Sequence, residues 1–487
     1  MDQNIIDKIL SFPTETRTLE FKRLGSRNET VNRTLESIVA MANTDGGLLV
    51  LGVDDPEKTK HKGLDRVFGI EENLELYDEL AKAIRKIVPP LSNIWPPQLL
   101  KVTDKNLTVA SLFIPKSTDA LHSIENHVYI RLEKGNKRLT PSEIVHYSYV
   151  KGFQQADKEL VDVDINLLHT KYFDSWRKGR EIAEDDVAVV LEKTGLARTD
   201  NGSLKPTRAA ILLFAEYPND LMETKCTIRI FQYEGTLETV KETLNLIGTP
   251  KTIDGPVIDQ INNANEYILD QLRRGLAVSE GFTTQYSIPS RAVQEAITNA
   301  VIHRDYHTKR DIEIRIFEDR IEIESPGLFP FNITAWNIGI ERAHGYRNDL
   351  LVKHLREFPQ PPNLDQNEGV KAMKSVMNMA GLYPPIFFTY PNLQDSVRVI
   401  LLNEQAPSEW EKVLYFLTKH KFITNEDARQ ITGITQRDKM SKLLKKWVNK
   451  GLLVKIQPQS GYVKATKYRL PESEQMSDLL AKGNASS

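Results

Sequence analysis

The sequence of 487 residues contains a single cysteine, Cys226, which excludes internal disulfides and cysteine-rich zinc sites. No stretch approaches the roughly 20 apolar residues that span a bilayer. The N-terminus also lacks a basic region followed by an apolar run. These absences predict a protein of a reducing compartment, the cytoplasm, that has no membrane partner.

A Walker GxxxxGK[ST] loop is absent as well, and nothing in the sequence is typical of a helicase motor. The formal net charge is only -2, but such an average hides local charge. Residues 437 to 469 are strongly basic and contain a single acid, Asp438. The length predicts several domains, because one hydrophobic core rarely serves so long a chain.

The first 150 residues alternate helix and strand. Apolar residues recur at helical spacing from Val31 to Asn43, and Gly46-Gly47 ends that helix before the apolar strand LLVLGV. The segments LTVASLFI and HVYIRL are also typical of strands. We therefore predict a small mixed α/β domain over residues 1–150, in which the glycines, with Gly52, serve the turn and tight strand packing.

Carboxylates flank two of these elements. Glu15 and Glu20 stand five residues apart and precede Lys22, while Asp54 and Asp55 end the strand LLVLGVDD. Carboxylates from separate elements can converge at a strand end, where they suit one or two Mg²⁺ or Mn²⁺ ions for phosphodiester cleavage. Lysine would offset phosphate charge. The alternative is a solvated face of scattered carboxylates.

The strings LEFKR, IVAMANTDGGLLVLGVDD and LHSIENHVYIRLEKGNKRLTPSEI resemble, in that order, the Schlafen-type AlbA domain over about residues 10 to 150. In Schlafen nucleases two glutamates and an aspartate form a metal site that cuts RNA. The resemblance implies that Glu15, Glu20 and Asp55, or Asp54 in the third place, are those ligands. Many bacterial members are described only as DNA-binding, so binding without cleavage is the alternative.

The same resemblance marks a basic strand and turn. It implies that His122, Arg131 and Lys134 can touch nucleic-acid phosphates. A solvated strand edge is the competing interpretation. Residues 151–285 contain no catalytic spacing, and we assign them a connecting role. Within them DNGSLKPTRAAILLFAEYP predicts a hairpin followed by a buried apolar strand.

From Ser290 to Tyr306 the sequence SRAVQEAITNAVIHRDY predicts a helix. Glu295, Asn299 and His303 recur at i, i+4 and i+8 on one of its faces. A glutamate there can orient an attacking water, and an asparagine can hold magnesium. The alternatives are buried polar groups that satisfy neighbouring loops, or an exposed stripe.

The following residues give this helix a context. DIEIRIFEDRIEIESPG predicts two strands joined by a tight turn, and NEGVKAMKSVMNMAGL begins another helix at a glycine. The order resembles the ATP-binding fold shared by gyrase, histidine kinases and MutL, in the divergent form related to RecG helicase, over about residues 200 to 400. The resemblance implies a nucleotide site formed by Glu295, Asn299, His303, Ser325, Gly327 and Gly369.

Two departures bear on the nucleotide. Ser325 stands where the family has the aspartate that reads adenine, and the second glycine motif has contracted to Glu368-Gly369. Serine cannot accept the adenine amino proton as a carboxylate does. ATP therefore remains a candidate cofactor, with hydrolysis less favoured than binding and a nucleotide-free scaffold as the alternative.

The C-terminal text SEWEKVLYFL, TNEDARQITG and TQRDKMSKLLKKWVNKGLLVKI predicts three helices, with Thr424 and Thr435 as N-caps. The strand-turn-strand text that follows completes a pattern similar to a winged helix-turn-helix. Lysines on the third helix would bind phosphates, and its N-terminal Arg437 would reach base edges. A protein-protein module is the alternative. The predicted contacts are Arg437, Lys442, Lys445 and Lys446.

The predicted fold class is multidomain α/β, with an α+β AlbA-like domain, a divergent α/β sandwich of the Bergerat type and a winged helix. The leading hypothesis is a metal-dependent endonuclease that cuts RNA rather than DNA, in a homo-oligomer with a role in anti-phage defence. The rivals are a DNA-binding transcriptional regulator and an ATP-sensing switch. The predicted domains span residues 1–150, 151–285, 286–404 and 405–471, with a flexible tail at 472–487.

Overall fold

The computed structural model describes residues 2–12, 14–25, 27–133, 135–222, 224–238, 245–277, 283–335, 337–362, 369–420, 422–456 and 466–471. Lys134, Glu368 and the tail 472–487, which the sequence analysis singled out, lie outside these ranges. The chain divides after Ser148 into two compact units, an N-terminal unit and a second unit that begins at Tyr149.

The N-terminal unit is built on one mixed sheet with the strand order β1-β2-β4-β3. Strands β1 and β2 run parallel, while β4 runs antiparallel to both β2 and β3. A separate small sheet has the order β5-β6-β7. The elements are α1 (Asp2–Leu10), β1 (Leu19–Lys22), α2 (Arg27–Ala42), β2 (Gly47–Leu51), α3 (Leu74–Ala83), β3 (Gln98–Val102), β4 (Leu107–Ile114), β5 (Ser123–Ile124), β6 (His127–Arg131), β7 (Asn136–Arg138) and α4 (Pro141–Val150).

Helix α2 covers the N-terminal sheet because its apolar residues recur at helical spacing. Leu35, Ile38 and Val39 are buried with Leu49 and Leu51 of β2 in one core. The helix predicted from Val31 and the strands predicted at LLVLGV, LTVASLFI and HVYIRL are confirmed. Strands β1 and β2 are parallel neighbours, and of the predicted carboxylates Glu20 lies within β1, Glu15 precedes it, and Asp54 and Asp55 follow the carboxyl end of β2.

The second unit is organised around a central sheet with the order β11-β10-β14-β15-β17-β16. Strand β10 pairs parallel with β14, and the remaining pairs are antiparallel. Its elements as far as this sheet's last strand are α5 (Lys171–Gly179), α6 (Val187–Lys193), β8 (Ala197–Asp200), β9 (Ser203–Pro206), α7 (Arg208–Phe214), α8 (Pro218–Leu221), β10 (Ile228–Gln232), β11 (Lys251–Ile253), α9 (Val257–Arg274), β12 (Leu276–Ala277), β13 (Thr283–Thr284), α10 (Ser290–Ile302), β14 (Ile312–Ile316), β15 (Arg320–Pro326), α11 (Asp349–Leu355), α12 (Gly369–Met379), β16 (Ile386–Phe388) and β17 (Ser396–Leu402).

Helix α10 packs between α9 and α12 on one face of the central sheet. Its residues Val293, Ile297 and Val301 are buried in the same core as Ile314 and Ile323 of the strands. The helix and the two strands β14 and β15 were predicted from periods of 3.6 and 2, and both predictions are confirmed. The sheet is continuous across residue 285, because β10 from the predicted connecting segment pairs with β14.

The apolar run after the β8–β9 hairpin was predicted as a strand, and that prediction is wrong. Arg208–Phe214 is helix α7, and Thr207 caps it by accepting a hydrogen bond from the Ala210 amide. Its residues from Ala209 to Phe214 are all buried. A helix buried on every side shows no apolar period, so a short apolar run cannot be told from a buried strand by pattern alone.

The C-terminal elements follow the order of a winged helix-turn-helix. They are α13 (Ser408–Lys419), β18 (Ile423–Thr424), α14 (Asn425–Thr432), α15 (Arg437–Asn449), β19 (Val454–Ile456) and β20 (Lys467–Arg469), and the sheet order is β18-β20-β19. Thr424 is confirmed as an N-cap, in a capping box with Asp427. Thr435 is not one. Gln436 occupies the N-cap of α15 and its side chain makes no capping bond.

Gly46 provides a test of the turn before β2. Its φ is +72°, and a Cβ there would lie 2.6 Å from the Ile114 carbonyl oxygen. Gly63 also has a positive φ, +54°, but nothing lies within 4 Å of a Cβ built on it. We expect Gly46→Ala to destabilise the N-terminal unit by about 1–3 kcal/mol more than Gly63→Ala, because overpacking adds to backbone strain. Equal urea midpoints for the two variants would contradict this.

Candidate functional sites

Glu15, Glu20 and Asp55 form a group of carboxylate side chains in the N-terminal unit. Glu20 is only 3% exposed. One of its oxygens accepts from Lys22 Nζ and, at 3.3 Å, from Ser37 Oγ. The other oxygen pairs with the Arg131 guanidinium. Both oxygens of this buried carboxylate therefore have cationic partners, as a buried charge requires.

Glu15 lies beside Glu20. Its Oε1 accepts a hydrogen bond from the Phe21 amide at 3.0 Å. Burial raises the pKa of Glu15, and the nearby charges of Glu20 and Asp55 raise it further. Glu15 is thus close enough to both Glu20 and Asp55 to be repelled by each of them.

Asp55, rather than Asp54, joins that group. Asp55 Oδ2 pairs with Lys58 Nζ at 2.8 Å, and this hydrogen bond is the main cause of the raised pKa of Lys58. Asp54 turns its side chain toward Arg23, at 3.7 Å. The carbonyl oxygen of Asp54 accepts two hydrogen bonds from Arg66, at 3.0 and 2.7 Å.

Lys58 and Arg66 contact Asp55 and the Asp54 carbonyl, and the sequence analysis missed both of them. The spacing of Lys58, three residues after Asp55, was the only available signal. Within the described ranges, no group of three or more His, Cys, Asp and Glu side chains is arranged to hold a metal ion. Instead, Lys22 and Lys58 neutralise Glu20 and Asp55. The donors are hard carboxylate oxygens of the kind Mg²⁺ and Mn²⁺ prefer, so their chemistry suits such an ion, but in the present arrangement lysines occupy them instead.

The predicted phosphate contacts His122 and Arg131 are not on the surface. His122 is buried and its Nδ1 lies 2.7 Å from the Pro89 carbonyl oxygen. Arg131 is 1% exposed and donates hydrogen bonds to Glu20, Asn136 and the Thr16 carbonyl. Neither side chain is placed to touch a phosphate. Both residues instead hold the domain together.

The Glu20–Arg131 pair predicts a stability effect. Glu20→Ala leaves a buried guanidinium without its carboxylate, which costs about 3–5 kcal/mol of unfolding free energy. Hydrogen exchange of the β1 and β2 amides measures the loss. Asp65→Ala, which removes an exposed partner 3.4 Å from Lys105, is the control and should leave this exchange unchanged. Unchanged exchange in Glu20→Ala would show that the pair is not a stabilising anchor.

A second candidate site is a cavity of about 280 Å³ beside α10 in the second unit. Pockets for small molecules begin at about this size. Its apolar wall includes Ile323, Phe329 and Val399. All the residues predicted for a nucleotide line it, namely Glu295, Asn299, His303, Ser325, Gly327 and Gly369.

Glu295 and Asn299 face the start of α12. A Cβ on Gly369 would lie 2.6 Å from Glu295 Oε2 and 3.3 Å from Asn299 Nδ2, so a larger residue there would push the Glu295 carboxylate aside. Burial raises the pKa of Glu295, although Arg291 at 4.0 Å partly opposes the effect. Arg291 also lines the cavity and is a cation that the sequence analysis missed.

His303 closes the far end of the same helix face. Burial lowers its pKa to about 4, so the imidazole is neutral at pH 7. The ring stacks on Tyr346 with centroids 5.5 Å apart. Among the described residues, its Nδ1 has no hydrogen-bond partner. Ser325 Oγ donates to the Ala300 carbonyl at 2.8 Å and so ties β15 to α10.

The basic residues predicted on α15 are placed unequally. Lys442, Lys445 and Arg437 are exposed, whereas Lys446 forms an ion pair with Glu404 of the segment after β17. Lys442, Lys445 and Lys446 line one cleft, and Arg437 lies outside it at the start of the helix. The predicted set therefore splits into a group within the cleft and a separate N-terminal residue.

The two units thus present an α/β domain with a carboxylate group and an α/β domain with a ligand-sized cavity. Residues 15–140 match the family model described as "Schlafen, AlbA_2". Residues 309–401 match the model described as "Putative ATP-dependent DNA helicase recG C-terminal". The chain therefore carries a Schlafen AlbA_2 domain and a RecG-related domain, and the two together indicate a nucleic-acid-associated function.

Two solved structures are similar to this chain. The DIP2311 protein from Corynebacterium diphtheriae is 15% identical, with 96% of this chain and 98% of that chain covered and a TM-score of 0.39. The N-terminal domain of a RecG-related protein from Nitrosomonas europaea is 21% identical, over 28% of this chain and 93% of that one, with a TM-score of 0.20. No curated protein matches the chain. None of the described helices is long and apolar enough to cross a membrane.

Proposed function

We propose that the N-terminal unit is a metal-dependent endonuclease that cuts RNA in preference to DNA. The observation that carries the proposal is that Glu15 lies partly buried beside Glu20 and near Asp55, so that burial and then these two charges raise its pKa. Neighbouring carboxylates favour binding of a divalent cation, because the cation relieves their repulsion. The preference for RNA rests on the resemblance to Schlafen nucleases.

Each residue has a distinct part in this proposal. Glu15, Glu20 and Asp55 would hold Mg²⁺ or Mn²⁺, which would supply an activated water and stabilise the leaving oxygen. Lys22 and Lys58, released from their carboxylates, offset the charge of the bound phosphate. Arg66 fixes the Asp54 carbonyl and so holds the turn that presents Asp55.

Cleavage is tested with labelled tRNA, single-stranded RNA and DNA, each with and without manganese. Glu15→Gln and Asp55→Asn keep the side-chain shape and leave the Arg131 ion pair intact. We expect each to reduce manganese-dependent cleavage by more than the roughly 10- to 100-fold that loss of an outer-shell partner costs, with binding retained. Asp65→Asn, whose side chain is 76% exposed, is the charge-matched control. Full cleavage by Asp55→Asn would eliminate this site.

The cavity beside α10 supports a second function, the binding of a nucleotide that regulates the protein. The supporting observation is that Glu295, Asn299 and Gly369 meet in the lining of a cavity that also has apolar lining residues such as Ile323 and Phe329. Asn299 would hold Mg²⁺ and Glu295 would orient a water, as the resemblance implies. The hydroxyl of Ser325 is bound to Ala300, so adenine would need another acceptor.

Calorimetry with ATP, ADP and GTP plus Mg²⁺ tests this second function. We expect binding that Asn299→Ala weakens about tenfold or more, since one charge-assisted contact to the metal or phosphate contributes about 1.5–3 kcal/mol. Asn262→Ala, on the exposed face of α9, is the matched control. No heat with any of the three nucleotides would show that the domain is a scaffold.

The alternative for the whole chain is a nucleic-acid-binding regulator without catalysis. The exposed lysines of α15 favour it. Wild-type protein that binds nucleic acid but cuts none of the substrates, with manganese present, would select this alternative. Self-association and a setting in anti-phage defence are further parts of the leading proposal, and they rest on the resemblance alone.

A further inference from the structure

Helix α15 is anchored along its C-terminal half to the central sheet. Trp447 Nε1 donates to the Tyr383 hydroxyl at 3.0 Å, and both residues are buried in a core shared with β17. Gly451, just beyond the helix, is so close to Phe388 of β16 that a Cβ would lie 2.8 Å from its ring. The helix is therefore part of the second unit and not a free recognition element.

Ion pairs fix the same half of the helix. Lys450 pairs with Glu404 at 2.6 Å and with Asp319 of the β14–β15 turn at 3.9 Å. Lys446 also pairs with Glu404. These contacts bring the lysine-bearing face of α15 over the edge of the central sheet, where a B-DNA duplex would need open space around the helix.

A cleft of about 520 Å³ lies between this face and the sheet. Lys442 and Lys445 line it on the side of α15, and the side of the sheet includes the apolar Phe388 and Leu402 beside the charged Asp319, Arg320 and Glu322. Arg320 is matched by Glu322 at 2.6 Å and by Asp319 at 2.8 Å. In the described part of the chain, Lys442 and Lys445 have no ion-pair partner, so the unmatched positive charge of the cleft belongs to them.

We propose that this cleft binds single-stranded nucleic acid. Its phosphates contact Lys442 and Lys445, and its bases pack against Phe388 and Leu402. The combination of cations along a groove with an aromatic and aliphatic surface is what single strands need, because their bases are unstacked. A duplex requires a helix to enter a major groove about 12 Å wide. Arg437, at the start of α15, is exposed and lies outside the cleft, so a duplex would be read from that end of the helix.

None of the N-terminal carboxylates lines this cleft, and the proposed binding there involves no cleavage. Its test therefore uses the full chain in EDTA, so that loss of cleavage and loss of this site are separate results. Fluorescence anisotropy follows labelled 12-nucleotide oligo(U) and oligo(dT), with a 20-base-pair duplex for comparison. The RNA and DNA arms decide which backbone the cleft prefers.

Lys442→Ala with Lys445→Ala removes the unmatched charge without disturbing a buried contact. We expect single-strand binding to weaken at least about tenfold at 0.1 M salt, with the salt slope reduced by about 1.4 for two lost contacts. Lys412→Ala with Lys439→Ala removes the same charge from exposed positions outside the cleft and should change neither quantity. Duplex affinity should fall less than single-strand affinity in the cleft variant.

Cross-linking locates the bound strand directly. A 4-thiouridine oligomer should cross-link to the peptides that contain Phe388 and residues 442–450, and the cleft variant should lose these cross-links. Unchanged single-strand affinity in the cleft variant, or cross-links elsewhere alone, would overturn the proposal. Equal losses for duplex and single strand would overturn it too, in favour of conventional groove reading by α15.

Discussion

Buried guanidinium groups hold the backbone around both candidate sites. An arginine cannot lose its proton inside a protein, so each buried one must find acceptors or carboxylates. In the N-terminal unit Arg131 donates hydrogen bonds to Glu20 and the Thr16 carbonyl. Arg66 donates to the carbonyls of Asp54 and Leu10. These bonds reach across the unit, and they fix the two segments from which the carboxylates project.

The second unit also contains a buried guanidinium, and backbone carbonyls are its acceptors. Arg347 donates to the carbonyls of Tyr149, Val150 and Leu328, and burial lowers its pKa to about 10. A Cβ on Gly327 would come within 3.0 Å of this guanidinium. Gly327, predicted as part of the nucleotide site, therefore also allows the close approach of Arg347, so a structural role accounts for it without a ligand.

The parts of the fold that the sequence predicted are those with a local period. The face of α10 that carries Glu295 and Asn299, and the alternation in β14 and β15, need only residues within one or two turns or strands. Glu20, the ion-pair partner of Arg131, is 111 residues away, and two of the three carbonyls that bind Arg347 are 197 and 198 residues away, so no spacing could reveal these contacts. For the same reason the sequence alone predicts Arg131 as a phosphate contact, whereas in the structure it is the buried ion-pair partner of Glu20.

Charge is used locally in this chain, which is why its near-zero total is uninformative. Glu404 forms ion pairs with Lys446 and Lys450, and Asp319 also pairs with Lys450. In the same way Glu20 pairs with Lys22, and Asp55 pairs with Lys58. A lysine paired in this way contributes little to binding of an anion, because the anion must displace a carboxylate before it gains the contact. Recognition by α15 must therefore depend on the lysines left without acids. The density of basic residues in the sequence therefore overstates the positive charge that this region offers to an anion, because Lys446 and Lys450 are already paired.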